Sequence, residues 1–326
     1  MDLRQSLFKP PAPVHSAPDA QYAPLPWSAY FDDKRIVAVG DTQFNVYSSG
    51  LDNTGGPIFV FHHGAGHSGL TFGLVSKNVH GRDPGHTTVV APDFRAHGDT
   101  TGANQDDLCL ERQVDDLVGL IAALFPGNSR SIVLVGHSMG GAVVAHVAAS
   151  RRIPHVLGLV LIDIVEGSAM DSLDAIPGFI RARPTSFASV EGAIRWHIDS
   201  SHIQNTESAR LSVPSLLTQQ SHGSWSWRTD LLPSQKFWYG WYSGLSSTFV
   251  SAPAAKLLIL AGSDRLDKEL LVAQMQGKFQ LELLPAAGHT IQEDLPDMVG
   301  DALIFFYSRN RPLDIAAIRR RNPVPS

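Results

Sequence analysis

Short apolar, β-branched runs alternate along this chain with longer stretches whose apolar residues recur every three or four positions, and that alternation predicts its fold. Arg35 to Val39 and Thr42 to Tyr47 predict an opening hairpin, followed by strands at Ile58 to His62 and Thr88 to Ala91. Between Leu108 and Phe125, residues Leu110, Val114, Leu117, Leu120, Ile121 and Leu124 fall on one face of a helix. A strand at Ile132 to Val135, a helix from Gly141 to Ser150 and a strand at Leu157 to Ile162 continue a β-α-β rhythm. Lys256 to Leu260 predicts a buried strand, Asp267 caps a helix running to about Gln276, Phe279 to Leu284 is another strand, and Gln292 to Tyr307 closes the chain as a helix. Such connections imply an α/β fold: a mostly parallel central sheet with helices on both faces.

The rhythm breaks between Glu166 and Val250. Helical pieces are expected there at Met170 to Ile180, Ser189 to Ser200 and Thr206 to Leu211, along with an aromatic-rich stretch holding Trp225, Trp227, Trp238, Tyr239, Trp241 and Tyr242. Because ligands bind outside the carboxyl ends of strands in open α/β sheets, an insertion at this point is expected to form a helical cap over that edge. Most of the four tryptophans in that stretch are expected to pack as the cap's own core. The predicted layout is a loose segment over 1–23, a core made of 24–165 and 251–309, a cap over 166–250 and a tail over 310–326. The Pro-rich Lys9 to Pro13 and the Arg319-Arg-Arg321 end suit no packed element.

Composition narrows the class. With 43% hydrophobic residues, the 326-residue chain can bury a large core, and a formal net charge of -5 argues against a nucleic-acid binder. A single cysteine, Cys109, excludes an internal disulfide framework and fits a reducing compartment. No apolar run approaches the ~18 residues of a membrane span, and the N-terminus lacks the apolar centre of a signal peptide. A cytoplasmic protein without membrane contact is expected, with the nucleus left open.

The chemistry is concentrated at Gly136-His137-Ser138-Met139-Gly140, set between a predicted strand and a predicted helix. A G-x-S-x-G at such a junction puts the serine on a sharp corner, where its hydroxyl stands clear of the sheet and the following N–H groups face the attacked carbonyl. A serine hydroxyl is a poor nucleophile at neutral pH, so it needs an imidazole to take its proton and a carboxylate to orient that imidazole. Of the 14 histidines, His289 is best placed, in the loop after the last predicted strand with Gly288 giving it backbone freedom. His146, His197 and His202 fit packing or surface roles better. Two aspartates satisfy the order Ser, Asp, His: Asp163 after the Leu157 to Ile162 strand and Asp264 after the Lys256 to Leu260 strand. Position alone favours Asp264.

An oxyanion needs two preorganised donors. The Met139 N–H is one, and the loop His62-His-Gly-Ala-Gly-His67 supplies the Ala65 N–H as the other. A zinc reading of His62, His63 and His67 has little support, since no acidic partner or H-E-x-x-H pattern accompanies them.

From about Pro24 to Arg309 the chain resembles the protein phosphatase methylesterases. The resemblance rests on Pro26-Trp-Ser-Ala-Tyr-Phe31, His63-Gly-Ala-Gly-His-Ser68, Asp93-Phe-Arg-Ala-His-Gly98, Gly136-His-Ser-Met-Gly-Gly141, Ile162-Asp-Ile-Val-Glu-Gly167, Glu207-Ser-Ala-Arg210, Asp264-Arg-Leu-Asp-Lys268 and Gln274-Met-Gln-Gly-Lys-Phe-Gln280. It implies an α/β-hydrolase fold and a serine esterase that removes the methyl ester from the carboxyl terminus of the type 2A phosphatase catalytic subunit, its substrate and partner, with no metal or organic cofactor. It also implies Asp163 as the acid, reversing the positional choice and leaving Asp264 in reserve. Two departures accompany it: Ala65 stands where the family often has glycine, and the region from Ser212 to Trp227 is short where vertebrate relatives carry a long acidic insert. A slot for the peptide acyl side is expected from Met275, Gln276, Trp225 and Trp241. Two rival functions are a small-molecule esterase and a phosphatase-binding inhibitor acting without catalysis.

Overall fold

The computed structural model describes residues 20–221, 223–262 and 266–312. Its strands are β1 (Asp33–Val39), β2 (Thr42–Ser49), β3 (Ile58–His62), β4 (Thr88–Pro92), β5 (Thr101–Gly102), β6 (Ile132–His137), β7 (Val156–Ile162), β8 (Ser186–Phe187), β9 (Leu217–Gln219), β10 (Trp225–Trp227), β11 (Ala255–Leu260) and β12 (Gln280–Leu283). The main sheet runs β1-β2-β4-β3-β6-β7-β11-β12, with β5 beside β2. Its opening hairpin and the β2–β4 pair are antiparallel, and from β4 to β12 every pair is parallel.

Period-two alternation divides the strands between two cores, since successive side chains leave opposite faces of a sheet. Ile132 and Leu134 of β6, with Leu159 and Leu161 of β7, join the layer that holds the helices Leu110–Leu124 and Met139–Ser150. Val133, Val135, Val160 and Ile162 enter the opposite layer with Val75, Val79, Val299, Leu303 and Phe306 from the helices Gly73–Arg82 and Pro296–Asn310. These near-continuous apolar runs are what strands covered on both faces require.

Helix boundaries depart from expectation where proline intervenes. The closing helix is two pieces, Ile291–Asp294 and Pro296–Asn310, because a proline disfavours helical backbone in the residue before it and Leu295 turns to φ −130°, ψ 57°. The stretch expected as one helix from Met170 to Ile180 is likewise Glu166–Ser172 and Ile176–Ala182, with Pro177 in the first turn of the second.

Between β7 and β11 the chain builds a small antiparallel sheet, β8-β10-β9, and several short helices. Trp196 and Phe187 are buried in a core local to this segment, against which Trp225 and Trp227 pack half-buried. Trp238, Trp241 and Tyr242 instead belong to the main core. Their helix, Gln235–Tyr242, and the next, Leu245–Ser251, pack on Met139–Ser150, so of the four tryptophans in the aromatic-rich stretch only Trp225 and Trp227 join the segment's own core. Most of the 1–23 segment and of the 310–326 tail lies outside the described residues. Among the described residues, no helix is long and apolar enough to cross a membrane.

Candidate active site

β6 ends at His137, the helix Met139–Ser150 begins two residues later, and Ser138 between them makes the corner at φ 52°, ψ −121°. A non-glycine residue holds such a conformation only when its surroundings enforce it. Two glycines permit the crowding: a Cβ on Gly136 would meet the Gly140 carbonyl oxygen at 2.3 Å, and one on Gly140 would meet the His62 carbonyl oxygen at 2.3 Å. Strand, elbow and neighbouring loop therefore close on one another as only Cβ-free residues allow.

His289 and Asp163 come together at this corner. The Nδ1–H of His289 donates to Asp163 Oδ2 at 2.7 Å, and the carboxylate is fully buried beyond the end of β7. The Ala261 N–H supports the other oxygen, Oδ1, at 3.3 Å. With Nδ1 donating, Nε2 is left as the acceptor, the tautomer a general base needs. Ser138 and His289 line the same cavity, about 200 Å³ in volume. Asp264, the reserve acid, lies outside the described residues.

The loop carrying His289 is anchored along its backbone. The Gly288 N–H donates to Asp294 Oδ2 at 2.7 Å, Nε2 of His137 donates to the His289 carbonyl oxygen at 2.9 Å, and the Thr290 hydroxyl donates to the His202 carbonyl oxygen at 2.9 Å. Burial holds the His137 imidazole well below its usual pKa, so this anchor is a neutral ring.

The loop after β3 touches the elbow from the other side. A Cβ on Gly64 would lie 2.8 Å from His137 Nδ1 and 3.1 Å from Ser138 Cβ. Neighbouring amides are engaged, Gly66 with His97 Nε2 at 2.8 Å and His67 with the Gly64 carbonyl oxygen at 3.2 Å. The Ala65 N–H has no acceptor among the described residues, and Ala65 lines the cavity. Met139 opens its helix, where an N–H has no intrahelical partner. Neither amide has a backbone acceptor among the described residues.

The three histidines weighed as zinc ligands take different partners. His62 stacks on Phe94 at 3.5 Å between ring centroids, His63 Nε2 accepts from the Phe94 N–H at 2.9 Å, and His67 packs edge-on against His137 at 5.4 Å. Burial depresses all three pKa values, that of His62 to about 3. Among the described residues, no group of His, Cys, Asp and Glu converges as a metal site.

Of the four residues expected to form the acyl slot, only Trp241 lines the cavity. Met275, 88% exposed, ends the helix Lys268–Met275, whose buried face is Leu270 and Ala273, and Gln276 follows it into solvent. Trp225 pairs with Phe187 and Gln219 inside the small sheet, and Trp227 is the β10 residue on the cavity wall. Three further residues escaped the sequence reading. His137 anchors the His289 loop, and Arg183 and Tyr242 line the cavity, where burial raises the Tyr242 phenol to about 12. The x position of G-x-S-x-G gives a signal for His137, whereas Arg183 and Tyr242 reach the site through the packing of the insertion, which no local pattern encodes.

This sheet order, with a strained serine after its central strand and an imidazole–carboxylate pair beside it, defines an α/β-hydrolase. The alpha/beta hydrolase family model matches residues 59–302. A solved structure of E-2-(acetamidomethylene)succinate hydrolase superposes with a TM-score of 0.68 at 21% identity, covering 85% of this chain and 99% of that one, which bears on the fold alone. Human protein phosphatase methylesterase 1 is 38% identical over 89% of this chain and 86% of its own length. Its Schizosaccharomyces pombe counterpart is 41% identical over 88% and 86%. The chain belongs to the protein phosphatase methylesterase 1 family and is an esterase of the α/β-hydrolase class.

Proposed function

We propose that this chain is a serine esterase that removes the methyl ester from the carboxyl terminus of the type 2A protein phosphatase catalytic subunit, using Ser138, His289 and Asp163. The observation that carries the reading is the 2.7 Å bond from His289 to buried Asp163, next to an elbow serine that shares a cavity with that imidazole.

His289 Nε2 takes the Ser138 proton as Oγ attacks the ester carbonyl, and the Met139 and Ala65 amides hold the oxyanion. Collapse of the tetrahedral intermediate breaks the acyl–oxygen bond, and His289 returns the proton to the departing methoxide as methanol. Water, deprotonated by the same imidazole, then attacks the acyl-enzyme and releases the free carboxylate and Ser138. Asp163 keeps the imidazole in its working tautomer and stabilises its charge when protonated. These steps involve protein groups and water alone. Methanol fills little space, so the cavity serves the acyl side. A cytoplasmic enzyme, with the nucleus left open, accords with the one cysteine in the chain.

The test is methanol release from methylated phosphatase catalytic subunit, with Ser138→Ala as control. Stoichiometric methanol from the unaltered chain and a loss of roughly 10⁶ in turnover for the variant are expected. Turnover of small esters without methanol from the phosphatase would point to a small-molecule esterase. Phosphatase inhibition by both forms without methanol would point to a binding inhibitor.

A further inference from the structure

The carboxylate of Asp294 lies buried at the seam between the loop that carries His289 and the inserted segment. Its Oδ2 accepts from the Gly288 N–H at 2.7 Å and its Oδ1 from the Gln204 N–H at 2.7 Å, with the Gln204 side-chain amide 3.4 Å from Oδ2. One side chain thus grips the backbone immediately before the base and the backbone of the insertion together.

Both ends of this grip are fixed by their neighbours. Asp294 ends the helix Ile291–Asp294, and its bond to Gly288 closes the backbone over 288–294 into a loop with His289 inside it. Gln204 stands in the turn between the helices Val190–Asp199 and Thr206–Ser212, directly before Asn205, whose side chain caps the second helix through the Glu207 and Ser208 N–H groups. Two neutral bonds run beside it: the Ser208 hydroxyl donates to the Glu293 carbonyl oxygen at 2.8 Å, and the Thr290 hydroxyl to the His202 carbonyl oxygen at 2.9 Å. Bonds to an ionised acceptor are roughly twice as strong as neutral ones, so Asp294 dominates the seam.

The partners fit a carboxylate and no other side chain of its size. Burial raises the Asp294 carboxyl above its usual range, and the Gln204 and Gly288 amides pull it back by bonding the charged form. Each oxygen faces an N–H donor, so an asparagine would have to turn its own NH2 group on one of them. His289 and Asp163 lie within electrostatic reach. An imidazole holding the proton taken from Ser138 therefore feels two carboxylates, Asp163 on its Nδ1 and Asp294 on the amide that precedes it. Glu293 does not act as a third, since burial raises its carboxyl to about 8, and burial keeps the His67 and His137 rings neutral.

We propose that Asp294 is a positioning residue for the esterase reaction: by joining Gly288 to Gln204 it fixes the His289 loop against the insertion and holds the imidazole where it can take the Ser138 proton. The inference rests on His289 being the base in the reading above and adds what sets that base in place. Asp294 touches neither substrate nor the reacting atoms, and its effect passes through the backbone of Gly288.

The test uses p-nitrophenyl acetate, with active sites counted by a fluorophosphonate so that misfolded chain is excluded. Asp294→Asn should lose about 10² in kcat with KM within about threefold of the unaltered chain. Gln204→Pro, which deletes the N–H on the insertion side and leaves the carboxylate in place, should lose about tenfold in kcat and keeps the test open if Asp294→Asn does not fold. The proton NMR signal of the His289 Nδ1–H, assigned by its disappearance in Asp163→Asn, should shift or broaden in both variants. Asp116→Asn, which disturbs the buried pair with Arg95, is the control and should keep both kcat and that signal. A kcat within about threefold in the Asp294 and Gln204 variants, a loss borne by KM, an unmoved Nδ1–H signal, or a matching loss in Asp116→Asn would overturn the inference. If His289→Ala keeps its turnover, the serine-esterase reading falls and the inference falls with it, whereas an inactive His289→Ala beside an undiminished Asp294→Asn ends the inference alone.

Discussion

The imidazole of His137 donates from Nε2 to the main-chain carbonyl oxygen of His289 at 2.9 Å. The residue before the proposed nucleophile thus fixes the loop carrying its proposed base, so elbow and loop keep register with each other. Replacing His137 with alanine removes this anchor from a fully buried position. Displacing a reacting group by an ångström costs on the order of 10² in rate, and a fall of that size in kcat is expected on p-nitrophenyl acetate with a smaller change in KM. A kcat within about threefold of the unaltered chain would mean the loop is held by its other contacts.

Asp163 and Asp264 are separated by paired asparagine substitutions. Losing the carboxylate that orients the imidazole costs about 10⁴ in kcat, and that loss is expected for Asp163→Asn, with Asp264→Asn within about tenfold of the unaltered enzyme. The reverse ranking would transfer the role to Asp264.

Gly64 lies where a methyl group would press on both His137 and Ser138. Gly64→Ala should force the loop back and carry the Ala65 N–H away from the forming oxyanion. Losing one such donor costs roughly 10² to 10³ in kcat. A rise in KM with kcat preserved would show that the loop serves binding.

Glu293 is buried under the hydroxyls of Thr71 and Ser212 and beside Asp294, and burial raises its carboxyl from 4.5 to about 8. Between those values the folded chain keeps a proton that the unfolded chain has released, so this group makes stability fall as pH rises through the window. Glu293→Gln removes that proton, and the variant should gain on the unaltered chain from pH 5 to pH 8 in urea unfolding. A difference that stays level across the range would contradict the assignment.

Much of the sheet was legible because its inner strands are nearly pure runs of Val, Ile, Leu and Phe, which pay off only when both faces are covered. β3 matches its expected bounds, Ile58–His62, and Asp267 caps its helix through the Leu270 N–H at 2.9 Å. Ser138 and His289 were legible as candidates because the proposed roles follow from element order. The order Ser, Asp, His admitted two carboxylates, and position preferred Asp264, whereas His289 bonds Asp163. The small sheet of the insertion was missed, its strands being two and three residues long and too short to display a period. The helix Gly73–Arg82 escaped as well, since its buried face is only Gly73, Val75, Ser76 and Val79. Tyr242 and Arg183 belong to the same class of miss: they reach the cavity by tertiary packing, and their neighbours in sequence give no sign of it.

The proposed mechanism requires the Ser138 oxygen to become covalently bonded to the acyl group of the substrate. Rapid-quench mass spectrometry of the chain mixed with an activated ester measures this directly. A transient mass increase equal to the acyl group is expected, mapped to the peptide holding Ser138, formed and lost at rates consistent with turnover and absent in Ser138→Ala. Turnover with no adduct in Ser138→Ala and the unaltered chain alike, or an adduct mapped to another residue, would contradict it.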